Sequence, residues 1–218
     1  GNNGSSPHIL GQNEPDNTGD PREVVTKIED LLAVWPELMA TGKRLGSPAM
    51  SGNLNMLYQF LDSIDARGWR CDFVAVHSYW YSDWGSWLWN FNNIHNRTGR
   101  PLWITEMNYG ANWTGWPAGS DRSGSASNLA IEKQHMAPIL DGLESTGYVE
   151  RYAFYNHVQD CRAAYLNGSL TPIGEYYANL ESGLAYNSAH AYVPRLPASK
   201  GAPRDLEVKF NSQTGTAA

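Results

Sequence analysis

Short apolar runs alternate along the chain with longer segments in which apolar residues recur every three or four positions. The short runs are apolar throughout, which is typical of strands buried on both faces. Five strands are predicted in this way, at residues 9–12, 44–49, 73–79, 102–106 and 149–155. The longer segments predict helices at residues 21–39, 55–66, 87–95, 127–145 and 171–180. Asp20 and Pro21 are expected to begin the first helix, and Gly68 to end the second.

Strands that alternate with helices indicate an α/β fold built from parallel βα units. Eight such units close a (β/α)8 TIM barrel, which usually takes about 250 residues. Five units are visible, so we expect a TIM barrel of which this chain holds only the last five units, with about three units before Gly1. Such a piece is expected to be inactive or unstable alone, because an open parallel sheet has two unpaired edges.

The end of the chain differs in composition from the rest. The barrel portion is predicted to cover residues 1–193, and residues 194–203 form a linker rich in Pro and Ala. Residues 204–218 begin a possible following β domain, because residues 205–210 alternate as a strand does. We therefore expect a monomer within a longer multidomain chain.

Aromatic residues make up 12% of the chain, with nine Trp and twelve Tyr, whereas charged residues make up 17%. Few charges and many flat aromatic faces fit a protein that stacks on sugar rings, although a Trp-rich core gives the same composition. The net charge of −6 argues against nucleic acid or an anionic membrane as a partner. No apolar run approaches the ~18 residues that span a bilayer.

The sequence contains no spacing typical of a cofactor site. No His-x-x-x-His or carboxylate cluster suggests zinc, and no phosphate-binding Gly loop or Gly-x-Ser-x-Gly motif is present. Cys71 and Cys161 are expected near opposite ends of the barrel, where they cannot form a disulfide. We expect structural thiols, no metal and no cofactor.

Two glutamates stand at the ends of predicted strands. Glu14 follows the first strand within Gly-Gln-Asn-Glu-Pro-Asp, and Glu106 ends the fourth within Trp-Ile-Thr-Glu-Met-Asn. The strand ends of an α/β barrel face the mouth where chemistry takes place. Two carboxylates from different strands are what cleavage of a glycosidic bond requires. The alternative for Glu14 is that it caps the loop that follows.

Further polar and aromatic residues near these strand ends are candidates for substrate binding. His77 and Tyr79 share one face of the third strand and are predicted to orient a catalytic carboxylate, unless His77 is a core histidine bonded to the backbone. Trp87 and Trp103 are expected to pack in the interior instead. The remaining substrate-binding candidates are Asn13, Asn108 and four possible sugar platforms, Trp80, Trp84, Trp113 and Trp116.

Five motifs, taken in order, resemble the catalytic core of glycoside hydrolase family 128. They lie at residues 11–16, 44–49, 72–79, 103–108 and 170–176. The resemblance covers residues 9–187 and implies a clan A (β/α)8 barrel in which the first visible strand is the fourth. It implies retaining chemistry on β-1,3-glucans, with Glu14 as acid/base and Glu106 as nucleophile. At the last strand this chain has Tyr155-Asn156-His157, where the family more often has a Trp.

The residues and the resemblance together predict a retaining glycoside hydrolase that acts on a β-linked polysaccharide. The first choice of substrate is a β-1,3-glucan. A secreted, periplasmic or cell-surface location is expected, although no signal peptide is visible. The alternatives are a glycan-binding barrel without activity and a clan A glycosidase for another β-glycan such as a galactan. A barrel enzyme of unrelated chemistry, such as a lyase, would need Lys, Arg or a metal where this chain has carboxylates.

Overall fold

The computed structural model describes residues 6–19, 27–115, 121–156 and 158–181. Its strands are β1 (His8–Ile9), β2 (Arg44–Leu45), β3 (Val74–Ser78), β4 (Leu102–Met107), β5 (Val149–Phe154), β6 (Tyr165–Leu166) and β7 (Ser169–Leu170). Its helices are α1 (Ile28–Ala40), α2 (Leu54–Ala66), α3 (Trp84–Thr98), α4 (Ala126–Glu144) and α5 (Pro172–Ala178), with a short 3₁₀ helix at Asp160–Arg162. The first five strands alternate with helices, as the sequence predicts.

The described residues divide into two compact units, one up to residue 75 and one from residue 76 onward. In the first unit β1 and β2 are parallel, and His8 lies opposite Arg44. A parallel bridge between Asn13 and Ala49 continues this pairing, and a second parallel bridge joins Gly46, after β2, to Phe73, before β3. The bridge at Asn13 fixes the backbone directly before Glu14, one of the predicted site residues.

The helices of the first unit bury one apolar face each. Trp35 of α1 meets Phe60 of α2 edge to face, with ring centroids 4.9 Å apart, and its indole N–H donates to the Arg70 carbonyl at 2.9 Å. Asn53 caps α2 by accepting the N–H of Met56, and Gly68 takes a left-handed φ of 64° after the helix, as predicted. The predicted start of α1 at Asp20 and Pro21 lies outside the described residues.

In the second unit β3, β4 and β5 form a sheet in that order. β4 and β5 are parallel, and Leu102 lies opposite Val149. The helix α3 is longer than predicted because Asp83 caps it by accepting the N–H of Ser86. The two short strands β6 and β7 form an antiparallel hairpin that the sequence analysis did not predict.

These elements confirm an α/β fold with parallel strands. Among the described residues the strands form separate sheets of two, three and two strands, and no closed barrel is present. Cys71 and Cys161 are both buried, and neither is in a disulfide. The predicted linker and following β domain lie outside the described residues. None of the described helices is both long and apolar enough to cross a lipid bilayer.

Close packing between α3 and α4 gives a stability prediction. A Cβ atom at Gly142 would lie 2.1 Å from Cε2 of Trp84. We expect Gly142→Ala to lower the free energy of unfolding by about 1–3 kcal/mol, because the Trp84 ring would have to move within a packed interface. Urea denaturation measures this, with Gly147→Ala as the control, since a Cβ there meets nothing within 4 Å. Equal stability of the two variants would contradict the packing role of Trp84.

Candidate functional site

The carboxylate of Glu106 is held near the carboxyl end of β4. The hydroxyl group of Tyr79 donates a hydrogen bond to its Oε2 at 2.6 Å. Nδ1 of His77 lies 3.5 Å from the same oxygen. Neither contact involves Oε1. The Glu106 side chain keeps 26% of its surface exposed. One carboxylate oxygen is therefore held by the protein, while part of the side chain remains open to solvent.

His77 and Tyr79 reach Glu106 because of strand geometry. They are two residues apart at the end of β3, so their side chains point to the same face. β4 is the neighbour of β3 in the sheet, which brings the two side chains beside Glu106. His77 is buried, whereas Tyr79 is half-buried. The structure thus brings together these three sequence candidates.

Two exposed aromatic rings, here called the rim, contact Tyr79, the residue that donates to this carboxylate. The edge of the Trp113 ring meets Tyr79 with centroids 5.3 Å apart, at an interplanar angle of 73°. Tyr155 meets Tyr79 in the same manner at 6.2 Å. Trp113 is 70% exposed and Tyr155 40% exposed, so both offer ring faces to solvent. Tyr155 was not among the predicted site residues, although its place directly after β5 was a signal for it.

The other tryptophan candidates differ in their surroundings. Trp80 packs against Trp87 and Phe91, each with ring centroids 5.3 Å away. Trp84 packs on Gly142. Both rings are half-buried, and these contacts pack one part of each ring within the second unit. Their role as sugar platforms stays a prediction. Trp116 lies outside the described residues. Trp87 is buried, as predicted.

Asn108 is buried, and the protein itself engages both ends of its side-chain amide. Its Nδ2 donates to the carbonyl of Tyr155 at 2.9 Å and to that of Arg162 at 3.1 Å. Its Oδ1 accepts the N–H of Tyr109 at 2.7 Å. A contact between this side chain and a sugar would therefore have to replace existing hydrogen bonds.

A buried charged cluster lies behind the loop that follows β4. Arg162, in the 3₁₀ helix, and Glu132, in α4, are both fully buried. Burial raises the pKa of the Glu132 carboxyl well above its usual value, and the nearby Arg162 guanidinium acts in the opposite direction. The sequence held one signal for Glu132, because it falls on the apolar stripe of α4 together with Met136, Ile139 and Leu143.

In the first unit, Glu14 has an unusual backbone conformation. Its φ is 38°, in the left-handed region that residues other than glycine rarely adopt. Its N–H donates to the Ala49 carbonyl at 2.8 Å, and its Oε2 accepts a hydrogen bond from Nδ2 of Asn17 at 2.8 Å. Backbone strain of this kind concentrates at functional sites, where the surroundings hold the residue in place.

The segment around Glu14 is fixed by Asp16. Although burial raises the pKa of Asp16, hydrogen bonds from the backbone N–H groups of Ser51 and Asn53 hold it below its usual value. The two distances to the carboxylate are 2.7 and 2.8 Å. Asn13, the predicted neighbour of the cleaved bond, is exposed. Glu14 and Asn13 therefore lie on a turn that the hydrogen bonds of Asp16 hold in place, here called the clamped turn.

The model of the family described as glycosyl hydrolase catalytic core matches residues 2–177. The chain belongs to this family, and the resemblance to glycoside hydrolase family 128 is confirmed. Comparison with curated proteins gives no match.

Solved structures show the same relationship. A variant of a family 128 subgroup I endo-β-1,3-glucanase from Amycolatopsis mediterranei, in complex with laminaripentaose, is 25% identical, with a TM-score of 0.68 over 81% of this chain and 73% of that chain. A subgroup II endo-β-1,3-glucanase from Pseudomonas viridiflava is 26% identical, with a TM-score of 0.58 over 80% of this chain and 70% of that chain. A subgroup VII oligosaccharide-binding protein from Trichoderma gamsii is 24% identical, with a TM-score of 0.62 over 81% of this chain and 68% of that chain, and shows the fold alone.

Proposed function

We propose that this protein is a retaining glycoside hydrolase that cleaves β-1,3-glucan by double displacement. The observation that carries the proposal is the Glu106 carboxylate, which accepts a hydrogen bond from Tyr79 through one oxygen, while Tyr79 in turn contacts two exposed aromatic rings. The structurally similar enzyme from Amycolatopsis mediterranei was solved in complex with a laminari-oligosaccharide, which supports a β-1,3-glucan as the substrate.

In the first step, Glu106 is the nucleophile. The hydrogen bond from the Tyr79 hydroxyl group to Oε2 orients the carboxylate. Oε1 then attacks the anomeric carbon and forms a covalent glycosyl-enzyme. The carboxylate loses its negative charge when it becomes an ester. In the second step water cleaves this ester and Glu106 leaves as a carboxylate, and the hydrogen bond from Tyr79 helps it to leave.

Glu14 is the general acid and base. In the first step its protonated form gives a proton to the leaving oxygen, and in the second step it deprotonates the water that attacks the glycosyl-enzyme. The clamped turn and the contact from Asn17 support this role, because an acid/base must keep one position through both steps.

Substrate binding is assigned to the surfaces beside these carboxylates. Trp113 and Tyr155 offer faces on which glucose rings can stack. Asn13 is exposed directly before Glu14 and is proposed to bond a sugar hydroxyl group. Trp116 stays a predicted platform, and His77 acts on the substrate through Glu106.

We further propose that β1 to β5 are consecutive strands of a (β/α)8 barrel with Glu14 and Glu106 at its mouth. A polysaccharide substrate favours a secreted, periplasmic or cell-surface enzyme that works as a monomer.

The stereochemistry of the product tests the proposal. In a retaining enzyme the two carboxyl groups are about 5–5.5 Å apart, whereas about 9 Å leaves room for the water of an inverting enzyme. We expect proton NMR during digestion of a laminari-oligosaccharide to show the β-anomer first and the α-anomer only after mutarotation. Initial α-anomer would indicate inversion. Binding without turnover would indicate an oligosaccharide-binding protein, and turnover of a galactan alone would indicate another β-glycanase.

A further inference from the structure

The loop that follows β4, residues 108–115 and here called the Trp113 loop, is a tight turn. The N–H of Thr114 donates to the Ala111 carbonyl at 2.9 Å. The Thr114 hydroxyl group accepts the N–H of Ala111 at 2.9 Å and donates to its carbonyl at 2.8 Å. Gly110 has a φ of 76°, and a Cβ there would lie 2.6 Å from the Thr114 Oγ1. The turn thus depends on a glycine and on one hydroxyl group.

Arg162 supports this loop from the interior. Its guanidinium donates from Nε to the Tyr109 carbonyl at 3.0 Å and from Nη2 to the Thr114 Oγ1 at 3.5 Å. Its own carbonyl accepts a hydrogen bond from the Asn108 side chain at 3.1 Å. Arg162 therefore contacts the loop at three points, and a fully buried guanidinium needs such partners to offset its lost hydration.

A stacked pair of rings fixes the start of the loop. The ring of Tyr109 lies 4.6 Å from that of His135 in α4, with an interplanar angle of 10°. Residues 108–115 contain two aromatic side chains. Tyr109 is buried, whereas Trp113 is exposed. The interior anchors and the exposed ring lie on one short segment, so a change at the anchors moves the ring.

We propose that Thr114 and Arg162 are positioning residues that hold Trp113 beside Tyr79 and thereby set the affinity for the glucose ring that stacks on Trp113. The proposal rests on the proposed function, because it takes the glucan as the ligand. Neither residue contacts the reacting atoms. Their effect is on the shape of the surface next to the Glu106 carboxylate, and it acts through the Trp113 loop.

The first test compares two threonines that each lose one hydroxyl group. Thr114→Val removes the hydroxyl bonds to the N–H and the carbonyl of Ala111 but keeps the backbone bond between the two residues, whereas Thr146→Val removes a hydroxyl bond to the Gly142 carbonyl near the end of α4. Binding of laminaripentaose is measured by calorimetry in the full-length protein with Glu106→Gln, which keeps the ligand intact. We expect Thr114→Val to weaken binding about five-fold and Thr146→Val to leave it unchanged, while urea denaturation shows a similar loss of stability in both.

The second test is a double-mutant cycle with Trp113→Ala. We expect Trp113→Ala to weaken binding about ten-fold, and Thr114→Val to add nothing once the Trp113 ring is absent. Arg162→Met is expected to follow the same pattern. If Arg162→Met does not fold, the Thr114 cycle decides the matter alone.

The outcomes separate the two proposals. If the Glu106→Gln protein does not bind laminaripentaose, the proposed function fails and this inference fails with it. If it binds, but Thr114→Val behaves like Thr146→Val, the positioning role is wrong and the proposed function stands. Effects of Thr114→Val and Trp113→Ala that multiply would equally contradict the positioning role, since the threonine would then act independently of the ring.

Discussion

Replacing Glu106 by Gln in the full-length protein is expected to lower the rate of β-1,3-glucan hydrolysis at least about 100-fold without unfolding it. The amide keeps the shape of the side chain and can still accept the hydrogen bond that Tyr79 donates to Oε2. It cannot attack the anomeric carbon, so the covalent step is lost. Initial rates of reducing-end release measure the effect, and circular dichroism reports folding.

The control for this variant is Glu150→Gln. Glu150 accepts the indole N–H of Trp103 at 2.8 Å, and an amide oxygen can do the same, so near-normal activity is expected. The role of Glu106 as nucleophile has a chemical signature as well. In Glu106→Ala, added azide should occupy the vacated face and convert a nitrophenyl β-glucoside into the α-glucosyl azide. Near-normal turnover by Glu106→Gln would show that Glu106 is not the nucleophile.

The sequence predicts β1 to β5 and the helices between them because each is a local pattern. Apolar runs and helical spacing depend on residues within one segment, and caps such as Asn53 and Gly68 act within one turn. The hairpin of β6 and β7 was also signalled locally, since Asn167 and Gly168 both have positive φ in its turn. Its strands are only two residues long, however, which is too short for an alternating pattern to show.

Part of the site around Glu106 could be predicted as well. The two-residue spacing of His77 and Tyr79 on a strand and the position of Glu106 near the end of the next strand place all three on one edge of a sheet. The contact of Tyr79 with Glu106 then follows from adjacency of β3 and β4. Parity along single strands is thus enough to find the carboxylate and its partners.

The remainder of the site depends on contacts between distant segments. Asn108 and Arg162 are 54 residues apart and meet only because β4 and the segment after β5 fold together. Whether a tryptophan is a platform or part of the core depends on what packs against it, as Gly142 does against Trp84. The spacing of residues along the chain does not show such contacts. Trp84 and Trp113 were therefore both predicted as sugar platforms, because each follows a predicted strand.

Replacing Glu14 by Gln in the full-length protein is expected to lower hydrolysis of β-1,3-glucan at least about 100-fold, but with a dependence on the leaving group that the Glu106 variant lacks. A glucose leaving group needs a proton from Glu14, whereas a nitrophenolate leaves without one. The first step of a nitrophenyl glycoside should therefore stay fast, and the glycosyl-enzyme should accumulate, because the second step still lacks its base. A burst of nitrophenol followed by slow turnover, measured by stopped-flow absorbance, is the expected result.

Azide and a matched control complete this test. In Glu14→Ala, azide needs no base and should attack the glycosyl-enzyme from the face opposite Glu106, giving the β-glucosyl azide rather than the α-product expected of Glu106→Ala. Glu29→Gln, at an exposed position in the first turn of α1, should keep normal activity. If glucan and nitrophenyl glycoside lose activity by the same factor in Glu14→Gln, the side chain does not act as the acid. Proton donation is the only role of Glu14 that makes the loss depend on the leaving group. Without that role, the left-handed backbone of Glu14, with a φ of 38°, would be explained by the turn that Asp16 fixes.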